Sequence, residues 1–278
     1  MVIYTFKLNS NKKVNMSIQV KQRMFDNISP ITGKKLPILS QGTNPKTIKS
    51  DNLGEYLTGI VYLSPYKLSG KNLCSHATDG CINSCLNTAG RGKMSNVQKG
   101  RLRKSLLFLN NQQEYFKQLC ADIRKHIIKC EKTGRKPAIR LNGTSDLPYE
   151  NILYGENQSI FDIFPQVQFY DYTKNSRRLP SKQGYSQAIG LYRKFPSNYD
   201  LTFSYSEITT LENIQAILKK NINVAVVFRK TIPKTFRGFE VINGDNHDLR
   251  FLDKKGVILG LTAKGKAKKD TTGFVIDL

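Results

Sequence analysis

Three of the five cysteines fall within residues 74–85, spaced Cys74-x6-Cys81-x3-Cys85, with Gly80 among them and Gly90 just beyond. Thiols gathered on one glycine-bearing loop are suited by their chemistry to hold metal. Three thiolates can bind three irons of a 4Fe–4S cluster and leave the fourth iron open to a small-molecule ligand. Zinc is the alternative metal, but it usually completes four protein ligands or keeps one water position. The competing reading is three free or structural thiols that merely lie close together. Only an ionised thiol ligates, so cations such as Arg91 and Lys93 would help by offsetting the negative charge.

Cys120 and Cys130 stand apart from this group. Phe116, Cys120, Ile123 and Ile127 recur at helical spacing, which puts the two cysteines ~15 Å apart along one helix axis. They can neither pair with each other nor share a cluster, and Cys120 reads as a small core residue. An odd cysteine count without a recognisable secretory leader favours a reducing compartment over a disulfide scaffold. No apolar run approaches the ~18 residues that would span a bilayer, so no membrane partner is expected.

The formal net charge is +23 over 278 residues. Such a charge predicts attraction to polyanions, nucleic acid first among them, with marked salt sensitivity. A lysine- and asparagine-rich composition solvated on every side would give the same number. Charge therefore fixes the sign of a partner and not a function, although Lys264, Lys266, Lys268 and Lys269 do cluster.

The elements that must position these residues are read from periodicity. Residues 1–57 read as an irregular N-terminal extension, with one candidate strand at Met1–Leu8. Residues 58–278 read as one α/β domain carrying the cysteine loop 72–92. Its expected strands are Gly59–Leu63, Pro137–Leu141, Val167–Tyr172, Tyr199–Tyr205, Val224–Phe228, Glu240–Ile242, Val257–Leu261 and Phe274–Ile276. A helical region over Val97–Lys132 is broken near Asn110-Asn111, and shorter helices cover Ile160–Phe164 and Leu211–Lys219. The unbroken apolar run Val224–Phe228 suits a parallel strand buried on both faces. Alternation of strand and helix predicts parallel α/β construction.

Each apolar run is followed by a chemically capable segment, and in parallel α/β folds such segments share the face where ligands bind. The strands lead in turn into the cysteines, Asn142–Asp146, Thr173-Lys174, Ser206-Glu207, Arg229-Lys230, Asn243–Asp248 and Thr262–Lys266. All should converge on the cysteine loop. His247 is the candidate general acid or base, or the protein ligand to the fourth iron, with Asp245 or Asp248 orienting its second nitrogen. Asp146 is the second candidate catalytic residue. Asn142, Thr144 and Ser145 form a strand-end turn suited to hydrogen-bonding a cofactor, or equally an Asx-type turn capping the next helix. Lys174, Lys264 and Lys266 would bind a phosphate or carboxylate, or only solvate the rim. His76 and His126 read as a solvent-facing and a structural residue.

Several stretches together resemble the phage family known as gene product 88. They are Leu63-Ser-Pro65 with Leu68-Ser-Gly70, Cys74…Cys81…Cys85-Leu-Asn-Thr-Ala-Gly-Arg-Gly92 and Arg140-Leu-Asn-Gly-Thr-Ser-Asp146. Phe169-Tyr-Asp-Tyr-Thr-Lys174, Asp245-Asn-His-Asp-Leu-Arg-Phe-Leu-Asp253 and Ala263-Lys-Gly-Lys-Ala267 complete them. The resemblance implies a phage-encoded protein acting in the host bacterial cytoplasm. A looser likeness is to radical S-adenosylmethionine enzymes, which carry three cysteines in the loop after the first strand of a partial (β/α) barrel. It implies that barrel as the fold, and S-adenosylmethionine as a cofactor at the open iron. Two departures weaken it. The usual spacing is C-x3-C-x2-C, and Asn142–Asp146 stands where a Gly-Gly-Glu-like element would hold the methionine amino group.

Two functions compete. One is a redox or radical iron–sulfur enzyme. The other is a nucleic-acid-binding phage protein whose metal cluster is structural or redox-sensing. No G-x-x-x-x-G-K-[ST] phosphate loop, no G-x-S-x-G elbow and no G-x-G-x-x-G after a strand is present, which sets aside those three chemistries.

Overall fold

The computed structural model describes residues 26–29, 32–41, 45–181, 183–186 and 194–278. The candidate strand at Met1–Leu8 lies outside the described residues. In chain order the elements are β1 (Leu39–Gln41), α1 (Pro45–Asp51), β2 (Tyr56–Val61), α2 (Asp79–Asn83), α3 (Ser95–Asn110) and α4 (Gln112–Lys132). Then come β3 (Lys136–Arg140), the two-residue strands β4 (Leu153–Tyr154) and β5 (Gln158–Ser159), α5 (Ile160–Ile163), β6 (Gln168–Thr173) and β7 (Tyr199–Ser204). The last are α6 (Leu211–Leu218), β8 (Val224–Phe228), β9 (Thr235–Phe236), β10 (Phe239–Asn243), β11 (Ile258–Thr262) and β12 (Val275–Ile276). A strand and a helix thus fall within the segment expected to be irregular, at residues 39–51.

The fold is mixed α/β around a mostly parallel sheet, ordered β1-β2-β3-β6-β7-β8-β11-β10-β9 with β12 also on β8. Seven strands from β2 to β10 run parallel, and the short edge strands β1 and β9 are antiparallel. The path is open at both edges, so what is present of the expected architecture is a mostly parallel sheet, and no closed barrel forms. Strand order is sequential only as far as β8. Beyond it β11 sits inside β10, and short apolar runs carry no signal for that exchange.

Alternation along the strands divides the sheet into two unlike faces. On one, α4 buries Tyr115, Phe116, Leu119, Cys120 and Ile123 against Ile139 and Phe169. The break between α3 and α4 is chemical. Asn111 leaves helical geometry at φ −147°, and its side chain accepts from the Glu114 amide at 3.0 Å, capping α4. The other face has a small cluster of Ala138, Tyr170 and Leu249 with Tyr56 and Phe251. The segment following β10 runs over this face above β6 and β7 instead of a helix.

One edge of β8 is shared. β7 pairs with Val224 and Ala225, while β12 pairs with Val227 and Phe228. The sheet therefore forks at its C-terminal end. Among the described residues no helix is long and apolar enough to cross a membrane.

Candidate functional site

A cavity of about 280 Å³ opens at the C-terminal ends of the parallel strands. Its lining includes ten of the expected site residues, Cys74, Cys81, Cys85, Asn142, Thr144, Ser145, Asp146, Lys174, His247 and Lys264, while Lys266 is exposed outside it. Two of the seven expected segments do not line the cavity, although one of them does reach the cysteine loop. Glu207 fastens the start of α2, accepting from Thr78 Oγ1 at 2.7 Å and from the Gly80 amide at 2.8 Å. Arg229 ties down the C-terminal segment, donating to Asp277 Oδ2 and to the carbonyls of Lys268 and Asp270.

The cysteine wall is built by short turns rather than by a long helix. Thr78 caps α2, its hydroxyl accepting from the Cys81 amide at 3.4 Å. Cys85 leads directly into the 3-10 turn Leu86–Thr88. Gly80 packs where no side chain fits, because a Cβ there would overlap Thr272 Oγ1 and lie 2.5 Å from Phe274 Cβ. The glycine is thus required by the segment before β12.

Each thiol is half-buried, and burial dominates its acidity. It pushes Cys74 up to about 12, against an opposing hydrogen bond from the Tyr66 amide, 3.3 Å from Sγ. Asp146 and the other two thiols raise Cys74 further. Burial also raises Cys81 and Cys85. The Lys174 ammonium opposes it at Cys81, and the Asn87 amide and Arg101 oppose it at Cys85. The three sulfurs are near enough to affect one another and are uncharged at neutral pH. As folded, no group of three or more His, Cys, Asp or Glu side chains among the described residues is placed to hold a metal ion.

The opposite wall is saturated with its own hydrogen bonds. Asn142 Oδ1 accepts from Ser145 Oγ at 2.9 Å and from the Leu147 amide at 2.8 Å, while Nδ2 donates to Leu147 O and to Asp171. Thr144 Oγ1 donates to Leu63 O at 2.6 Å. Asp146, the second expected catalytic residue, pairs one oxygen with Arg178. The other accepts from Thr173 Oγ1 and the Lys174 amide. Asp146 fixes a loop, and the Asn142 turn closes on itself through Ser145 and Leu147.

Arg178 organises this wall. It is fully buried and forms a two-pronged pair with Glu150, at 2.6 and 2.8 Å, and donates to Tyr199 Oη at 2.9 Å. Tyr199 passes the chain on to Asp171 Oδ2 at 3.0 Å. Burial lifts the Asp171 carboxyl to about 7 against the pull of Arg140 and the Asn142 amide. Nothing in sequence periodicity marks Arg178 or Glu150, and Tyr199 shows there only as the first residue of an expected strand.

Lys174 is the cation between the two walls. Its ammonium donates to Ser204 Oγ at 2.9 Å and Tyr205 O at 2.8 Å and lies 4.7 Å from the centre of the Phe274 ring. Burial lowers its pKa, and Cys81, Asp146 and Glu207 counter that shift.

His247 is not oriented by either expected aspartate. Asp248 accepts from Arg140 at 3.0 Å, and Asp245 accepts from the Thr262 amide and Lys264. The carboxylate nearest the ring is Asp253, 3.7 Å from Nε2. Burial and Arg250 lower the histidine's pKa. His126 is structural as expected, its Nε2 3.1 Å from Leu57 O. Lys49 of α1 also lines the cavity and donates to Asp245 O at 2.7 Å. The segment read as an irregular extension hid that contribution, because seven residues show too little periodicity.

The chain has no significant match among curated proteins or among solved structures. The likeness to S-adenosylmethionine enzymes therefore gains nothing from comparison. The family model described as gene product 88 matches residues 37–278, a range that starts just before β1 and takes in both walls of the cavity. That match supports the bacteriophage origin implied by the motifs, and the chain belongs to the gene product 88 family.

Proposed function

We propose that this is an iron–sulfur protein whose cluster is held by Cys74, Cys81 and Cys85 and serves a redox role. The observation that carries the reading is the convergence of three thiols on one cavity wall, set against buried cations. Lys174 and Arg101 both act on these thiols in the direction that favours thiolate. The Tyr66 and Asn87 amides do the same at Cys74 and Cys85. Backbone donors and fixed positive charge are what a polynuclear thiolate site needs in order to hold its negative charge out of water. When bound, a 4Fe–4S cluster supplies one-electron transfer. The short turns of the cysteine wall would have to draw the sulfurs together, and loading would release protons from thiols of raised pKa.

The polar wall offers little to S-adenosylmethionine. Asn142 and Ser145 spend their groups within their own turn, so a methionine amino group has no obvious partner there. His247, in the lining of the same cavity, would be the protein candidate for the iron that the three cysteines leave open.

Anaerobic purification with iron, sulfide and zinc analysis tests this, followed by electron paramagnetic resonance of the reduced protein with and without S-adenosylmethionine. The expected result is about four irons and four sulfides, lost in Cys81→Ala, with a spectrum indifferent to S-adenosylmethionine. A spectrum that shifts would move the reading to radical chemistry. Stoichiometric zinc without sulfide would end it.

A further inference from the structure

Two of the stretches that contain no acidic residue meet in the fold. One lies between Asp79 and Glu114 and carries Arg91, Lys93, Lys99, Arg101, Arg103 and Lys104. The other lies between Asp253 and Asp270 and carries Lys254, Lys255, Lys264, Lys266, Lys268 and Lys269. They are far apart in sequence, and the fold joins them at the cavity mouth. The 3-10 turn Gly265–Lys269 lies against the turn Leu86–Thr88, and Gly265 approaches so closely that a Cβ on it would be 2.7 Å from Ala89 Cβ. Leu86, Lys264 and Ala267 belong to both the rim and the cavity lining.

Arg91, Lys93, Lys264, Lys266, Lys268 and Lys269 are all exposed there. Lys264 has a carboxylate partner in Asp245, and no ion pair holds Lys93, Lys266, Lys268 or Lys269 among the described residues. Asp270, the nearest acid in sequence, is buried and turned inward, accepting from Thr272 Oγ1 and the Val275 amide. Cations therefore outnumber carboxylates along the rim, where Asp245 pairs with Lys264 and Asp277 with Arg229. Leu86 and Met94 are exposed apolar side chains within the same stretches.

We infer that this rim binds a single-stranded nucleic acid, with phosphates along the lysines and bases against Leu86, Met94 and the cavity mouth. Alternating cations and exposed apolar groups suit a strand whose bases are free to turn inward, whereas a bare polyanion would need the charge alone. A chain-wide excess of lysine makes any surface attractive to phosphate. A rim rich in unpaired lysines at the opening of a cavity makes one surface preferred. The inference concerns the rim and stands whether or not a cluster occupies the cavity.

Fluorescence anisotropy of the full chain with a labelled single-stranded 20-mer, DNA and RNA in turn, tests it. Affinity should fall at least ~10-fold between 50 and 200 mM salt. Charge reversal in K266E/K268E/K269E should weaken binding by ~10-fold or more and reduce the salt slope by about 2. The remote triple variant K125E/K129E/K132E on the outer side of α4 makes the same change in net charge and should alter affinity less than ~3-fold. Protein stripped of metal by a chelator should bind as the untreated protein does, which separates this inference from the fate of the cluster. Equal losses in the two triple variants would reduce the binding to undirected charge and overturn the inference, as would no binding at 50 mM salt. A duplex bound as tightly as the single strand would overturn the assignment of the bases.

Discussion

The two walls of the cavity solve opposite problems. The Arg178 wall buries charge and satisfies nearly all of it internally, through Glu150, Asp146, Tyr199, Asp171 and Asn142. The cysteine wall buries three thiols, gives Cys74 one amide donor and leaves the sulfurs neutral. A wall whose polar groups are spent on one another holds shape. The comparison places rigidity on the side of Arg178 and leaves the proposed reactivity to Cys74, Cys81 and Cys85.

The sharpest way to break that contrast is Arg178→Met. Removing the guanidinium strands Glu150 and Asp146, and breaking a buried pair in this way should cost about 3–5 kcal/mol in urea unfolding. A loss under about 1 kcal/mol would make this wall no stiffer than an ordinary surface site. Next is pH. The folded Asp171 carboxyl sits at about 7, above its ordinary value of 3.8. The native state therefore keeps the proton that the unfolded chain releases. Stability contributed by this group is present at low pH and lost as pH rises through that window. Asp171→Asn cannot ionise, so its stability relative to wild type should improve steadily between about pH 4 and pH 7. A difference that stays flat would show the carboxyl ionised at its usual pH.

Gly80→Ala tests the seam between the cysteine wall and the C-terminal segment. Its Cβ would strike Thr272 and Phe274, and crowding of this kind costs about 1–3 kcal/mol. Faster amide exchange at Val275 and Ile276 would accompany it. Smallest in stability should be Cys85→Ser, within about 1 kcal/mol of wild type by thermal unfolding. The same variant should lose its iron, so a large effect on loading beside a small one on folding is the outcome that sharpens the comparison.

What could be read from the residues was local. Val224–Phe228 announces a buried strand, Asn111 announces a helix break, and the polar segments after apolar runs announce a shared face. Convergence of the ten residues on one cavity is a consequence of that rule. What they do there depends on partners distant in sequence. Asp146 is committed by Arg178, whose stretch has no periodicity, and His247 faces Asp253 because the chain turns back across β6 and β7. The exchange of β10 and β11 and the seven-residue α1 were equally silent, since both are settled by tertiary pairing and not by local pattern.

The fork on β8 sets a timetable for synthesis. Lys49 and Phe274 line the same cavity, and β12 takes its place on a strand made some fifty residues before it. At ~5–20 residues per second, the sheet from β2 to β8 can form seconds before the cavity is finished. During that interval the thiols are translated and unshielded, with Gly80 still missing the neighbours that confine it. Anything that captures cysteine early, whether oxidant or stray metal, therefore acts on the nascent chain, before Phe274 arrives.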